Sequence, residues 1–114
     1  MSWKTYTTLA AAQKDLFGQA HAVHVSLRGS DITDETLAPC LRLFPKLQSL
    51  DIAETSLTEA GLSTLADFPE LFTVIWFGTK TSSEFRAQLS EELGLEVLDE
   101  NGESNLKFTG MLIW

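Results

Sequence analysis

Apolar side chains recur along this chain on a comb of nearly constant pitch. Leu47, Leu50 and Ile52 occupy the first, fourth and sixth places of a short segment, and Leu71, Val74 and Trp76 take the same places one repeat further on. Leu95 and Leu98 follow at the next repeat, and Ala22, Val25 and Leu27 stand one repeat earlier. A second set keeps the same phase: Leu16, Leu41 and Leu65 precede Leu27, Ile52 and Trp76 by one constant interval, with Leu89 in that place before Glu100. Apolar positions two apart mark a half-buried strand, and the second set marks a helix on each return path. Internal repetition on this scale governs the whole fold and takes precedence over any local motif.

The segments that join strand to helix also correspond. Arg28 to Leu37, Ala53 to Leu62 and Phe77 to Phe85 each carry a hydroxyl residue where a helix should begin, namely Thr33, Thr58 and Ser82. A side-chain oxygen at that place satisfies an orphan amide of the first turn, and acids such as Asp34, Glu35, Glu59 and Glu84 favour the positive end of the helix dipole. Thr58-Glu59-Ala60-Gly61-Leu62 is the fullest version of the motif; Thr33-Asp34-Glu35-Thr36-Leu37 lacks the glycine, and Ser82-Ser83-Glu84-Phe85 matches loosely.

In these features the chain resembles the leucine-rich-repeat family, in its short form with threonine, acid, any residue, glycine and leucine at helix starts. The resemblance covers roughly residues 20 to 100. It implies an α/β fold: a short leucine-rich-repeat solenoid of about four strand–helix units with a parallel sheet and a C-terminal capping strand. It further implies one domain over residues 1–114, with an N-terminal helical cap in 1–20, repeats in 21–100 and a C-terminal cap in 101–114. Ala22 and Glu100 depart from the pattern at the two ends, as the atypical terminal units of a stacked array do. Thr7 to Gly18 is expected as a helix, and Leu106 to Trp114 as a strand paired back onto Leu95–Leu98 across the polar 100–104 turn.

Strand alternation then sorts the side chains. Val25, Leu27, Leu50, Ile52, Val74 and Trp76 face the core, and the open face of the sheet carries His24, Ser26 and Arg28, then Ser49, Asp51 and Ala53, then Thr73, Ile75 and Phe77, and finally Val97 and Asp99. In the family this row is the usual contact surface. Ile75, Phe77 and Val97 make an apolar patch within it, with two explanations: a docking site of the kind such patches mark, or a surface covered by the apolar segment that ends in Trp114. The candidate binding residues are Ile75, Phe77, Val97, Thr73, Asp51, Asp99, Arg28 and His24. Trp3 and Trp114 are expected to cap the ends of the stack or to anchor a partner.

Charge narrows the partner. Sixteen acidic residues against eight basic ones give a formal charge of -8, which argues against non-specific nucleic-acid binding and against docking on an anionic membrane. Glu84, Glu91, Glu92, Glu96, Asp99, Glu100 and Glu103 are opposed only by Arg86, so a protein partner of basic character is the natural complement. Cys40 is the single cysteine, which leaves no intramolecular disulfide and suits a reducing compartment. The first residues lack the basic and apolar regions of a secretory signal, and no apolar run reaches the ~18 residues of a membrane span, so a cytoplasmic location is expected.

Candidate chemistry is sparse. His21 and His24 are three apart, which in a strand points them to opposite faces and away from a shared metal ion. His24, Ser26, Ser49 and Asp51 have the residue types of a hydrolytic triad, yet an open sheet face supplies no water-excluding pocket or oxyanion hole. Cys40 lies among Leu37, Leu41 and Leu43 and is expected as a packing residue. Neither a cofactor nor a metal is anticipated. The sequence therefore favours a non-enzymatic protein-interaction module. Two alternatives stay open: an immunity- or inhibitor-type protein that masks a basic toxin or enzyme, and a structural unit that self-associates through its C-terminal end.

Overall fold

The computed structural model describes residues 3–105. Lys4–Thr5 form a short first strand, β1, followed by helices α1 (Leu9–Lys14) and α2 (Leu16–His21) and strand β2 (His24–Ser26). Helix α3 (Asp34–Leu41) leads to β3 (Ser49–Asp51); helix α4 (Glu59–Ser63), extended by a 3-10 turn over Thr64–Asp67, leads to β4 (Thr73–Ile75); and α5 (Ser83–Leu93) leads to β5 (Glu96–Leu98). The five strands form one parallel sheet whose spatial order follows the sequence, β1-β2-β3-β4-β5. The fold is α/β. Each parallel step requires a crossover, and the helices supply it.

Register explains the apolar comb. Val25 pairs with Leu50, Leu50 with Val74 and Val74 with Val97, so these side chains stack in one row. Val25, Leu50 and Val74 are fully buried, as are Leu27 and Ile52 in the next row, with Trp76 nearly so. From the helical side Leu37, Leu41, Leu62, Leu65 and Leu89 close the same continuous core. Thr55 and Thr79 sit at equivalent places after β3 and β4, where their hydroxyls donate to the carbonyls of Ile52 (2.7 Å) and Trp76 (2.9 Å). Each tightens the turn that leaves the strand. In the same turns the backbone enters the left-handed region at Gly29 (φ 67°), Glu54 (φ 60°) and Gly78 (φ 73°). Glycine takes this conformation freely, whereas Glu54 does so against the steric preference of its Cβ.

Thr33, Thr58 and Ser82 all occupy helix N-cap positions. Ser82 accepts from the Phe85 amide at 3.1 Å, while Thr33 donates its own amide to Thr36 Oγ1 at 2.8 Å. Thr58 works differently. Its amide and its hydroxyl both donate to the Asp34 carboxylate, which ties the start of α4 to the start of α3. These bonds, with one from the Gly61 amide, hold the Asp34 carboxyl below the usual carboxylate range. Gly61 is needed because a side chain there would collide with Asp34.

Three expectations change at the ends. Ahead of the helical segment an unanticipated strand, β1, extends the sheet, with Lys4 beside Val25 and Thr5 beside Ser26. The helix expected over Thr7 to Gly18 is broken at Asp15, which ends α1 and caps α2 by accepting from the Gly18 amide at 3.0 Å. In the last unit the register is one residue shorter than the comb predicts. Val97 continues the core row and Leu98 pairs with Ile75 on the open face, the reverse of the expected assignment. The 100–104 turn does fold back, bridging Leu98 to Ser104, and Asn105 closes the outer edge of β5 through bonds to both the amide and the carbonyl of Val97. The strand expected over Leu106–Trp114 lies outside the described residues.

Candidate functional site

The open face of the sheet is built from the residues that alternate with the core row. Across it run His24, Ser49, Thr73 and Glu96 in one register line and Ser26, Asp51, Ile75 and Leu98 in the next. Arg28 and Phe77 lie beyond the strand ends. The structure brings most of the sequence-derived candidates onto this face, with different degrees of exposure.

Asp51 is its electrostatic centre. It is only 7% exposed, so its carboxylate needs partners, and it has three. Oδ2 accepts from Arg28 Nε at 2.9 Å and from Ser26 Oγ at 3.4 Å, and Oδ1 accepts from the Ala53 amide at 3.1 Å. The Arg28 guanidinium in turn lies over the Phe77 ring, 4.9 Å from its centroid. Arg28 thereby spans from β2 across β3 to the end of β4, and the carboxylate and the aromatic ring pre-order it. Such a restrained, half-exposed arginine on an aromatic platform loses little side-chain freedom on binding.

The neighbouring line is more polar. Thr73 Oγ1 donates to Glu96 Oε1 at 3.0 Å, and Glu96 Oε2 accepts from Ser104 Oγ at 2.8 Å. At the other side, the His24 ring packs against Trp3 with centroids 5.6 Å apart, and His24 Nδ1 is buried without a hydrogen-bond partner among the described residues. The face therefore grades from aromatic at β1–β2, through a charged centre, to Ile75, Phe77 and Leu98 beside acids at β4–β5.

Several candidates need correction. Val97 does not face outward: it packs against the core, because Leu95 and the strand row are separated by one residue fewer than in the preceding units. Ile75 holds its expected line but is 9% exposed, and Asp51 is similarly enclosed, so neither offers free surface. Asp99 is exposed but sits past β5 in the turn, where Oδ1 accepts the amides of Asn101 and Glu103, both at 2.9 Å. Two outer-face residues fall outside the sequence expectation, Leu98 and Glu96, and the signal for both is the short Leu95–Val97 spacing.

Catalytic readings gain no geometry. Asp51 engages Arg28 rather than His24, and Ser26 and Ser49 are each 7% exposed. Among the described residues no three His, Cys, Asp or Glu side chains converge on a metal position. Cys40 is buried, and burial alone pushes its thiol up to about 11, which disfavours the thiolate that nucleophilic chemistry requires. Behind β1, Asp15 receives the Tyr6 hydroxyl at 2.7 Å and the Lys4 ammonium at 3.0 Å. The Tyr6 bond, then the Gly18 amide and Lys4, lower the Asp15 carboxyl to about 2, while burial and the adjoining carboxylate push the Tyr6 phenol well above its ordinary value. This cluster receives a lysine that pairs in register with Val25 on the edge strand.

Two grooves flank the sheet. One of about 430 Å3 lies in the first unit between Lys4, Phe17, His21 and His24. The other, of about 390 Å3, lies in the last unit between Trp76, Phe77, Ala87, Val97 and Leu98, with Asp99 and Asn105 at its border. No helix among the described residues is long and apolar enough to cross a membrane. Compared with known proteins, the chain matches no family model and no curated protein.

Proposed function

We propose that the chain is a leucine-rich-repeat solenoid that acts as a non-enzymatic binding module, holding one protein partner on the open face of its sheet. The nearly even steps in sequence from Val25 to Leu50, Val74 and Val97, each paired with the next, fit a stack of equivalent strand–helix units. The observation that carries the binding reading is the Asp51–Arg28–Phe77 arrangement: a charged group and an aromatic ring, held in place across the open face of the sheet. Arginine and aromatic residues are the types that dominate binding energy at interfaces.

The acid-rich β5 side supports a partner of basic character, since complementary charge speeds encounter and suppresses wrong partners. That feature also supports the narrower reading of an inhibitor or immunity-type protein covering a basic toxin or enzyme. A cytoplasmic location and a lack of enzymatic activity belong to the same proposal.

The test is affinity capture from the host's lysate with the wild-type chain and with Phe77→Asp, after circular dichroism has established that both are folded. A basic protein retained by the wild type and lost with Phe77→Asp supports the reading. Equal retention by both excludes the open face as the site.

A further inference from the structure

The chain has two asparagines, Asn101 and Asn105, and the hairpin that follows β5 treats them differently. Asn105 spends its carboxamide on the edge of the sheet: Oδ1 accepts from the Val97 amide at 2.7 Å and Nδ2 donates to the Leu95 carbonyl at 3.3 Å. The Asn101 carboxamide bonds to no described residue, and Asn101 is exposed in the turn. The residues that follow differ too, Leu106 after Asn105 and Gly102 after Asn101.

An asparagine carries an electrophilic carbon, Cγ, within reach of the next residue's amide nitrogen, and closure between them gives a five-membered ring. A side chain on that next residue hinders the approach, and glycine has none. At Gly102 the place of a Cβ meets nothing within 4 Å, and φ is 79°, so no packing shields the nitrogen on that side. One restraint remains, the bond from the Gly102 amide to the Asp99 carbonyl at 2.9 Å. Exposed turns with few buried contacts open locally at small cost, which frees this amide at intervals without unfolding the chain.

We infer that Asn101 is a self-modification site, converted without an enzyme to aspartate and isoaspartate, and that the isoaspartate form releases the hairpin from the edge of β5. Base removes the Gly102 amide proton, and the nitrogen attacks Asn101 Cγ. The bond from Cγ to Nδ2 breaks, and Nδ2 leaves as ammonia after taking a proton from water. Water then opens the resulting succinimide. Cleavage between Gly102 N and Cγ gives aspartate, whereas cleavage between Gly102 N and the Asn101 carbonyl carbon gives isoaspartate; either way one water is consumed and one ammonia released. Isoaspartate routes the main chain through Cβ and Cγ, which adds one backbone atom to a turn where Asp99 Oδ1 holds the amides of Asn101 and Glu103, both at 2.9 Å. That turn sets the alignment on which the Asn105 bonds to Val97 and Leu95 depend. The inference is independent of the open-face reading, because no partner takes part.

Peptide mapping by mass spectrometry, on the folded chain held at neutral and at mildly alkaline pH, reads the conversion, and methyl transfer by an isoaspartate-specific methyltransferase reads the product. The peptide with Asn101 should gain the mass of amide-to-acid exchange and accept methyl groups, faster at the higher pH, while Asn105 stays an amide. Asn101→Gln, at an exposed position, should do neither, because its ring closure would be six-membered and slower. In the separated isoaspartate form the Val97 amide should lose its protection against hydrogen exchange. An Asn101 that stays intact in the folded chain overturns the proposal, and conversion in urea alone would assign the protection to the Asp99–Gly102 bond. Conversion of Asn105 at the same rate as Asn101 overturns it equally, and a Val97 amide that stays protected in the isoaspartate form overturns the release of the hairpin.

Discussion

Replacing Gly61 by alanine tests the packing logic that ties one unit to the next. In an ordinary exposed helix this change stabilises by about 1 kcal/mol, because alanine is the better helix former. Here a Cβ at position 61 would overlap Asp34 Oδ1 and would stand 3.1 Å from Leu57 Cδ2 and 3.2 Å from the Asp34 Cα. The last contact is with backbone, so it cannot be relieved by turning a side chain. Moving Asp34 away also weakens its bond to the Thr58 amide, now 2.9 Å long. Overpacking of a close contact costs about 1–3 kcal/mol and the weakened Thr58 bond about 1 kcal/mol more, against a propensity gain of about 1 kcal/mol, so a net destabilisation of about 1–3 kcal/mol is expected. In urea, with a slope of about 2 kcal/mol/M for a small domain, the midpoint should fall by roughly 0.5–1.5 M with no change in slope. A midpoint that stays level or rises would show that α3 and α4 are not held at this separation, and would refute the reasoning.

Glu54→Gly should act in the opposite direction: relief of the left-handed strain of about 1–2 kcal/mol outweighs the extra entropy of glycine of about 0.5–1 kcal/mol, so a rise of a few degrees in thermal midpoint is expected. For acid stability the sign follows from Asp15 and Asp34, whose folded-state values lie below their unfolded ones. Both contributions are complete above about pH 4 and are lost as the pH falls below it, that of Asp15 as the pH approaches about 2, so urea midpoints should drop with acid and Asp15→Asn should flatten the drop. Tyr6 is the converse case, its raised value contributing stability below about pH 10 that disappears at higher pH, which Tyr6→Phe should remove. Cys40 should react with a disulfide reagent only as fast as the chain opens, and labelling at the native rate of a free thiol would contradict its burial.

The core rows of β2 and β3 were legible because each alternates an apolar residue with a small or polar one, which leaves a single register that buries Val25 and Leu50; β4, where Val74 to Phe77 are all apolar, took its register from the repeat that matches Leu71 and Val74 to Leu47 and Leu50. In β5 the alternation fails. Val97 and Leu98 are adjacent and both apolar, so pattern alone permits either to face inward, and the extrapolated pitch favours the wrong one. Backbone bonds settle it: Glu96 donates to the Phe72 carbonyl at 2.7 Å, as Thr73 donates to Gln48, which sets Val97 beside Val74. The first strand was hidden for another reason. Lys4 pairs in register with Val25, a position where no hydrophobicity pattern identifies a lysine as part of a strand; its side chain is 48% exposed and its ammonium meets Asp15 from between the two helices. The Arg28–Phe77 contact was illegible because its partners follow strands that are not neighbours, with β3 between them. The alternating rows did place both residues on one face.

The central proposal, that a partner is held on the open face, is tested most directly by hydrogen exchange on the chain alone and with a captured partner. The account predicts new protection confined to amides of the strands and the turns that follow them, over residues 24–30, 49–55, 73–79 and 96–99, with α3 and α4 unchanged. Protection concentrated on α3 and α4, with the strand turns exchanging as before, would contradict it.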